Sequence, residues 1–213
     1  QVMQALKERG LDDNTLIIFT SDNGGAHYIG LPEINRPYRG WKATFFEGGI
    51  RVPLLMRWPA RIAAGTRVNG TVSHFDIFAT AAGAAGVKPP ADRVIDGIDL
   101  APYVDARRAP MPRRTLFWKS GAYQAVRDGD AKLQILDIPR RSLLYDLGGD
   151  PTERRDIAGG NPAEVQRLTA LIRAHDAQQA RPSWAALFRS PVAIDRPLGT
   201  PPRAGEAYSY WSN

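Results

Sequence analysis

Thr15–Pro53 reads TLIIFTSDNGGAHYIGLPEINRPYRGWKATFFEGGIRVP, and its reading decides the rest. It opens on Leu16, Ile17, Ile18 and Phe19, a short unbroken apolar run of the kind expected of a strand buried on both faces. The run stops at Ser21-Asp22-Asn23-Gly24-Gly25, where the chain must turn. In an open α/β sheet, ligands bind at the carboxyl ends of strands, so polar groups there are well placed for chemistry. Asp22 and Asn23 put a carboxylate beside an amide oxygen, the hard oxygen ligands that Ca²⁺ or Mg²⁺ prefers. Some way on, Lys42 lies in a glycine-punctuated loop with Arg39, Glu47 and Arg51. A ligand pair followed by a fixed cation suggests a site for an oxyanion, phosphate or sulfate.

Each piece also has a plain structural reading. Asn-Gly is a common hairpin turn, a loop lysine is usually solvated, and Gly48-Gly49 can serve a backbone bend alone. The order of the pieces is more specific than any one of them. A strand, then DNGG, NRPYRGWK and EGGIRVP, resembles the sulfatase family of the alkaline-phosphatase-like superfamily. A second match follows: AVRDGDAKL, from Ala125, and LYDLGGDPTERRDIA, from Leu144, resemble the closing signature of the same family.

The resemblance implies roles at matching positions. Asp22 and Asn23 would be the second pair of ligands to an active-site calcium, and Lys42 would contact the sulfate group of the substrate. Glu47, Gly48, Gly49 and Arg51 would shape the loop without reacting. Trp41 stands where a glycine more often precedes the lysine, and is expected to narrow or flatten the pocket wall. His27, four residues past Asn23, is a candidate substrate contact. The family's nucleophile is a formylglycine made from the Cys or Ser of a C/S-x-P-x-R motif. This chain has no cysteine and no Ser-x-Pro-x-Arg. It is therefore expected to be the C-terminal part of a sulfatase with half an active site, inactive alone and partnered by the N-terminal half.

Composition excludes some classes. At 213 residues the chain can bury a sizeable core, and 43% hydrophobic with 23% charged residues is ordinary for a globular protein. The net charge of +6 suits anionic substrates or simply an arginine-rich surface, and without a dense Lys/Arg run it does not point to nucleic acid. No apolar run approaches the ~20 residues of a membrane span. Periplasmic or secreted location is expected from the resemblance only.

Along the chain, Gln1–Arg9 reads as an amphipathic helix ended by Gly10, and Val52–Trp58 as a second buried strand. Thr66–Val72 alternates well enough for a strand or extended edge. Ser73, Asp76 and Thr80 fit the family's S-x-x-D-x-x-x-T segment ahead of a small apolar helix, Ile77–Gly86, with Asp76 read as its N-cap and His74 as packed or capping. Val94–Leu100 resembles a short family segment before a second domain, and Arg107–Arg114 reads as a linker. Strands are expected at 116–119, 123–127 and 132–136, with turns at Ser120-Gly121 and Asp128-Gly129-Asp130. Asp146, Asp150 and Glu153 read as turn-forming or capping acids. Asn161-Pro162-Ala163-Glu164 is a helix start, and His175 lies on that helix's face. From Arg181 the pattern reads as an irregular tail with scattered aromatics, among them Trp184, Phe188, Tyr208, Tyr210 and Trp211.

The expected fold class is α/β: the C-terminal part of an alkaline-phosphatase-like large mixed sheet domain, then a small α+β domain with an antiparallel sheet and a packed helix. The boundaries would be 1–110, 111–180 and a tail at 181–213. The function implied is hydrolysis of a sulfate ester, of a small molecule or glycan. The alternatives are a phosphate-ester or phosphonate hydrolase of the same superfamily, or a non-catalytic binding module on the same fold.

Overall fold

The computed structural model describes residues 1–104, 110–137, 140–184 and 189–212. The expected linker at Arg107–Arg114 lies partly outside them, as does Phe188 of the tail. The chain divides into two compact units, one made of residues 1–20 and 53–113, the other of residues 21–52 and 114–213.

In the first unit, α1 (Val2–Glu8) ends as its sequence dictates. Gly10 takes φ +65, the Gly10 N–H donates to the Lys7 carbonyl at 3.0 Å, and the Leu11 N–H to Leu6 at 2.9 Å. Glycine reaches that left-handed conformation without a Cβ clash, which lets the orphan carbonyls of the last turn be satisfied. Strand β1 (Ile17–Thr20) pairs antiparallel with β2 (Leu54–Arg57), in the register Ile17 with Arg57 through Thr20 with Leu54. The apolar run does form a strand, but it is not buried on both faces. Phe19 and its register partner Leu55 are 63% and 60% exposed. Among the described residues the sheet has only these two strands.

Helix α3 (Phe75–Ala84), which follows the short α2 (Glu47–Ile50) of the other unit, buries Asp76, Ala79 and Thr80, one face at helical spacing. Asp76 is not the N-cap. His74 holds that position without a side-chain bond, and its imidazole lies 3.4 Å from the Thr20 hydroxyl. The Asp76 carboxylate accepts the backbone N–H of Ser73 at 2.8 Å and of Ile98 at 2.9 Å, while the Thr80 hydroxyl accepts that of Leu100 at 2.9 Å. These two side chains strap the 94–100 segment to the helix. Residues 66–72 form no strand, since no ladder partner is available to them among the described residues.

The second unit is built on an antiparallel sheet in the order β3 (Thr115–Ser120), β4 (Tyr123–Asp128), β5 (Ala131–Asp137), β6 (Arg140–Asp146). Gly121 (φ +60) and Gly129 (φ +64) make the first two turns, as their sequence implies. The last strand went unrecognised in the sequence because its Arg140-Arg141 start is polar. Helix α4 (Pro162–Asp176) lays Leu168 and Ile172 on Val126, Leu133 and Leu144. Its Asn161 cap makes no side-chain bond to the helix, and Glu164 pairs with Arg167 at 2.7 Å instead of closing a capping box. His175 stacks on Phe117 with ring centroids 4.1 Å apart.

The tail is not irregular. Strands β7 (Arg189–Ala193) and β8 (Tyr208–Ser212) pair antiparallel, and Ile194, 1% exposed, enters a core with Phe45, Phe46, Tyr123 and Tyr145. Proline-rich flanks hid this pairing from a reading by composition. Because Ile194 fills a closed apolar site, Ile194→Ala is expected to cost ~2–5 kcal/mol, read as a loss of thermal stability. A change too small to measure would mean that the tail does not dock in solution.

Candidate functional site

The second unit holds the whole 21–52 loop, so all four sequence-identified positions fall within one compact body. The loop is folded on itself by glycines. The Gly24 N–H donates to the Gly49 carbonyl at 2.9 Å, and a Cβ on Gly24 would lie 1.8 Å from the Gly48 oxygen. On the other side of the contact, a Cβ on Gly48 would meet the Arg39 and Gly40 oxygens at 2.5 Å. DNGG and EGG therefore need glycine for the same reason: two backbones pass at a separation that excludes any side chain.

Asn35 crosses between these segments. Its oxygen accepts the Gly25 N–H at 2.7 Å, and its amide donates to the carbonyls of Gly25 at 2.9 Å and Gly40 at 3.0 Å. The Lys42 N–H then donates to the Gly25 carbonyl at 3.0 Å, tethering the lysine two residues beyond Asn23. Lys42 is exposed, and its ammonium has no ion-pair partner among the described residues. Asp22 is also exposed, with no side-chain bonding partner among the described residues, and Asn23 is half-buried. The Asn23 amide nitrogen donates to the Gly24 carbonyl at 2.9 Å, so the side-chain oxygen is the end left for a ligand.

Trp41 is 5% exposed, with its indole N–H lacking an acceptor among the described residues. The turn Trp41–Thr44 is closed by the Thr44 hydroxyl, which accepts the Trp41 N–H at 3.1 Å and donates to the Trp41 carbonyl at 2.8 Å.

His27 is half-buried beside Tyr28, with its Nδ1 buried and unpartnered, and its carbonyl accepts the Leu198 N–H at 2.8 Å. Burial, and after it the Arg196 guanidinium, lower the imidazole pKa below its ordinary 6.5. The neutral ring is favoured in the folded state, so acidification below 6.5 protonates the unfolded chain first and costs stability. An NMR titration is expected to find the His27 midpoint below 6.5, with Arg196→Gln raising it while leaving it depressed. A midpoint at or above 6.5 in the parent protein would contradict this environment.

The sequence missed the group that holds the loop from below. Lys132 is fully buried, its ammonium 2.8 Å from Glu47 Oε1 and 2.9 Å from Glu153 Oε1. Gln134 donates to Glu153 Oε1 at 3.1 Å and accepts from the Tyr123 hydroxyl at 2.6 Å. Burial pushes the Glu47 carboxyl up, but Lys132, with Arg127 and Arg51 behind it, outweighs that and holds it below its ordinary value. For Glu153 burial wins and the carboxyl is raised, because the same lysine is shared and the Glu47 charge is close. Glu153 thus closes a turn with its backbone, its N–H donating to the Asp150 carbonyl at 3.2 Å, but its carboxylate is a buried network acid, whereas that of Asp150 caps the turn, accepting the N–H groups of Arg154 at 2.7 Å and Arg155 at 2.8 Å. One signal was available. Lys132 and Gln134 alternate with apolar neighbours along β5, two polar residues on one face of a central strand.

Among the described residues no group of three or more His, Cys, Asp or Glu could hold a metal ion, and no helix is long and apolar enough to cross a membrane. The fold is that of the alkaline-phosphatase-like superfamily. It matches the structure of Ps i-CgsB in complex with k-i-k-neocarrahexaose, with TM-score 0.76 and 29% identity over 86% of this chain and 41% of that one. It also matches the phosphonate monoester hydrolase of Agrobacterium radiobacter, with TM-score 0.63 and 30% identity over 83% of this chain and 38% of that one. The Sulfatase family profile matches residues 1–87. N-acetylgalactosamine-6-sulfatase of Mus musculus is 38% identical over 174 residues, 80% of this chain, and steryl-sulfatase of Mus musculus is 35% identical over 224 residues, 85% of this chain. The chain belongs to the sulfatase family. It spans 33% and 35% of the length of those two relatives.

Proposed function

We propose that this chain is part of a sulfuric ester hydrolase and carries half of its metal and sulfate site. The observation that supports this reading is the backbone bond from Lys42 to Gly25, which brings the chain at an unpaired lysine to within two residues of Asn23 along the sequence. A substrate sulfate would draw the Lys42 ammonium, which stabilises charge as it builds on the sulfate and leaving oxygens. The donor set fits calcium in part. A free carboxylate and an amide oxygen are hard ligands, and the 6–8 oxygens that calcium takes require more than this pair. When bound, calcium would supply positive charge against the sulfate oxygens. The rest of the protein would supply the remaining ligands and a formylglycine nucleophile, and a periplasmic or secreted setting goes with this reading.

The substrate would be a sulfate ester of a sugar or of another alcohol. The relatives include sulfatases named for an amino sugar and for steryl esters, and His27 at the loop is the candidate contact for that part. The similarity to a phosphonate monoester hydrolase supports a second reading, a phosphate-type ester, on the same fold.

The test is metal analysis together with paired sulfate and phosphate ester assays on the protein expressed from its whole native reading frame. Stoichiometric calcium that is lost in Asp22→Ala, and turnover of sulfate over phosphate esters, are expected. Preference for phosphate or phosphonate esters with a transition metal would replace this reading by the second. Binding of sulfate esters without turnover would leave a non-catalytic module.

A further inference from the structure

We infer that Lys132 is a positioning residue for the sulfate-contacting lysine, acting through a clasp that Glu153 makes around the base of the Lys42 loop. The inference rests on the assignment of Lys42 to the sulfate made above. Both feet of the 39–47 segment are attached to one residue. The Arg39 guanidinium donates to the Glu153 carbonyl at 3.1 Å, and the Glu47 N–H donates to Glu153 Oε2 at 2.5 Å. A third attachment reaches the same network. The Phe45 N–H donates to the Tyr123 hydroxyl at 2.8 Å, which donates to Gln134, which donates to Glu153.

Between those feet the loop has little freedom. Trp41 and Thr44 are tied to each other through the threonine hydroxyl, and Lys42 lies inside that turn, its own N–H held by Gly25. A shift at Phe45 is therefore passed to Lys42 through two residues, Ala43 and the tied Thr44, and a shift at Glu47 through four.

What holds the clasp together is the buried ammonium. Two carboxylates, each no more than 2% exposed, face one another across Lys132, and Glu153 is in the left-handed region at φ +55 although it carries a side chain. A side-chain residue persists there only where its surroundings over-determine it. Removing the one cation that both carboxylates share leaves uncompensated buried charge, and the pair would move apart or take up water. The Glu47 N–H would lose its carboxylate acceptor, while the Arg39 guanidinium, also paired with Asp195 at 2.7 Å, would keep the other foot in place. Lys132 touches neither substrate nor metal in this scheme. Its effect on chemistry is wholly through the place of Lys42.

A double-mutant cycle with a hydrogen-exchange readout, on the protein from its whole native reading frame, separates positioning from general stability. Lys132→Met is expected to lower kcat for a sulfate ester about tenfold or more, and to have almost no further effect in a Lys42→Ala background. Amides of residues 40–48 are expected to exchange faster in Lys132→Met, with strands β3 and β4 unchanged. Should Lys132→Met not fold, Glu153→Gln keeps an acceptor for the Glu47 N–H while removing the charge, and enters the same cycle and the same exchange measurement. Equal losses in the two backgrounds would overturn the inference, as would unchanged exchange across 40–48. If Lys42→Ala itself turns over normally, the assignment of Lys42 to the sulfate falls, and exchange alone then decides whether Lys132 holds the loop.

Discussion

Replacing Lys42 by alanine in the protein expressed from its whole reading frame is expected to lower kcat/KM for a sulfate ester by ~10²–10³-fold, or ~2.7–4 kcal/mol, the range of a preorganised charge stabiliser. The size follows from how the lysine is held. Its backbone is fixed by the bond to Gly25 and by the Trp41–Thr44 turn, so no loop ordering is needed when charge develops on the substrate. Its ammonium has no ion-pair partner among the described residues, so no existing pair has to break first. The same geometry makes the experiment clean. Alanine keeps the backbone N–H and removes only an exposed side chain, so stability is expected to change by no more than about 0.5 kcal/mol. A large loss of turnover with unchanged melting then belongs to the chemistry. Lys42→Arg should recover part of the rate, since charge is kept while a planar fork replaces a compact ammonium. Near-normal turnover in Lys42→Ala would remove the residue from the mechanism.

Much of the fold was legible because its signals are local. Gly10, Gly121 and Gly129 each sit where the chain needs positive φ, and the turns fall where those glycines are. The alternating strands of the small sheet and the apolar stripe of α4 are likewise carried by neighbours in sequence. What was hidden depends on partners far away. Glu153 reads as a turn acid because it follows Asp150 and Pro151, and only the approach of Lys132 and Glu47 makes it a buried network member. Asp76 has the pattern of a cap, yet its acceptors are spent on Ser73 and on Ile98, twenty-two residues on. Leu16–Phe19 shows a different limit. An unbroken apolar run says that both faces suit burial, and cannot say whether a second layer is present to cover Phe19.

Gly24→Ala carries a large expected effect on folding. A Cβ at that position would lie 1.8 Å from the Gly48 oxygen, 2.8 Å from its carbonyl carbon and 3.0 Å from the Gly49 Cα. All three are backbone atoms, so no rotamer change can relieve the overlap, and the two segments must separate. Separation breaks the Gly24–Gly49 bond and moves the Gly25 carbonyl that tethers Lys42. The expected cost is about 3 kcal/mol or more, at the upper end of overpacking because the neighbour is main chain. For a chain of this size that is a fall of roughly 6–12 °C in Tm. Gly159→Ala is the matched control. Nothing lies within 4 Å of its added Cβ and its φ is not positive, so a change within about 0.5 kcal/mol is expected there. Equal melting of the two variants would show that the close passage of DNGG and EGG does not exist in solution. The explanation of both motifs by backbone contact would then fail with it. Gly48→Ala tests the same contact from the other side, where the added Cβ would meet Arg39 and Gly40. A severe loss in Gly24→Ala with a mild one in Gly48→Ala would place the constraint on the Asp22-Asn23 turn alone.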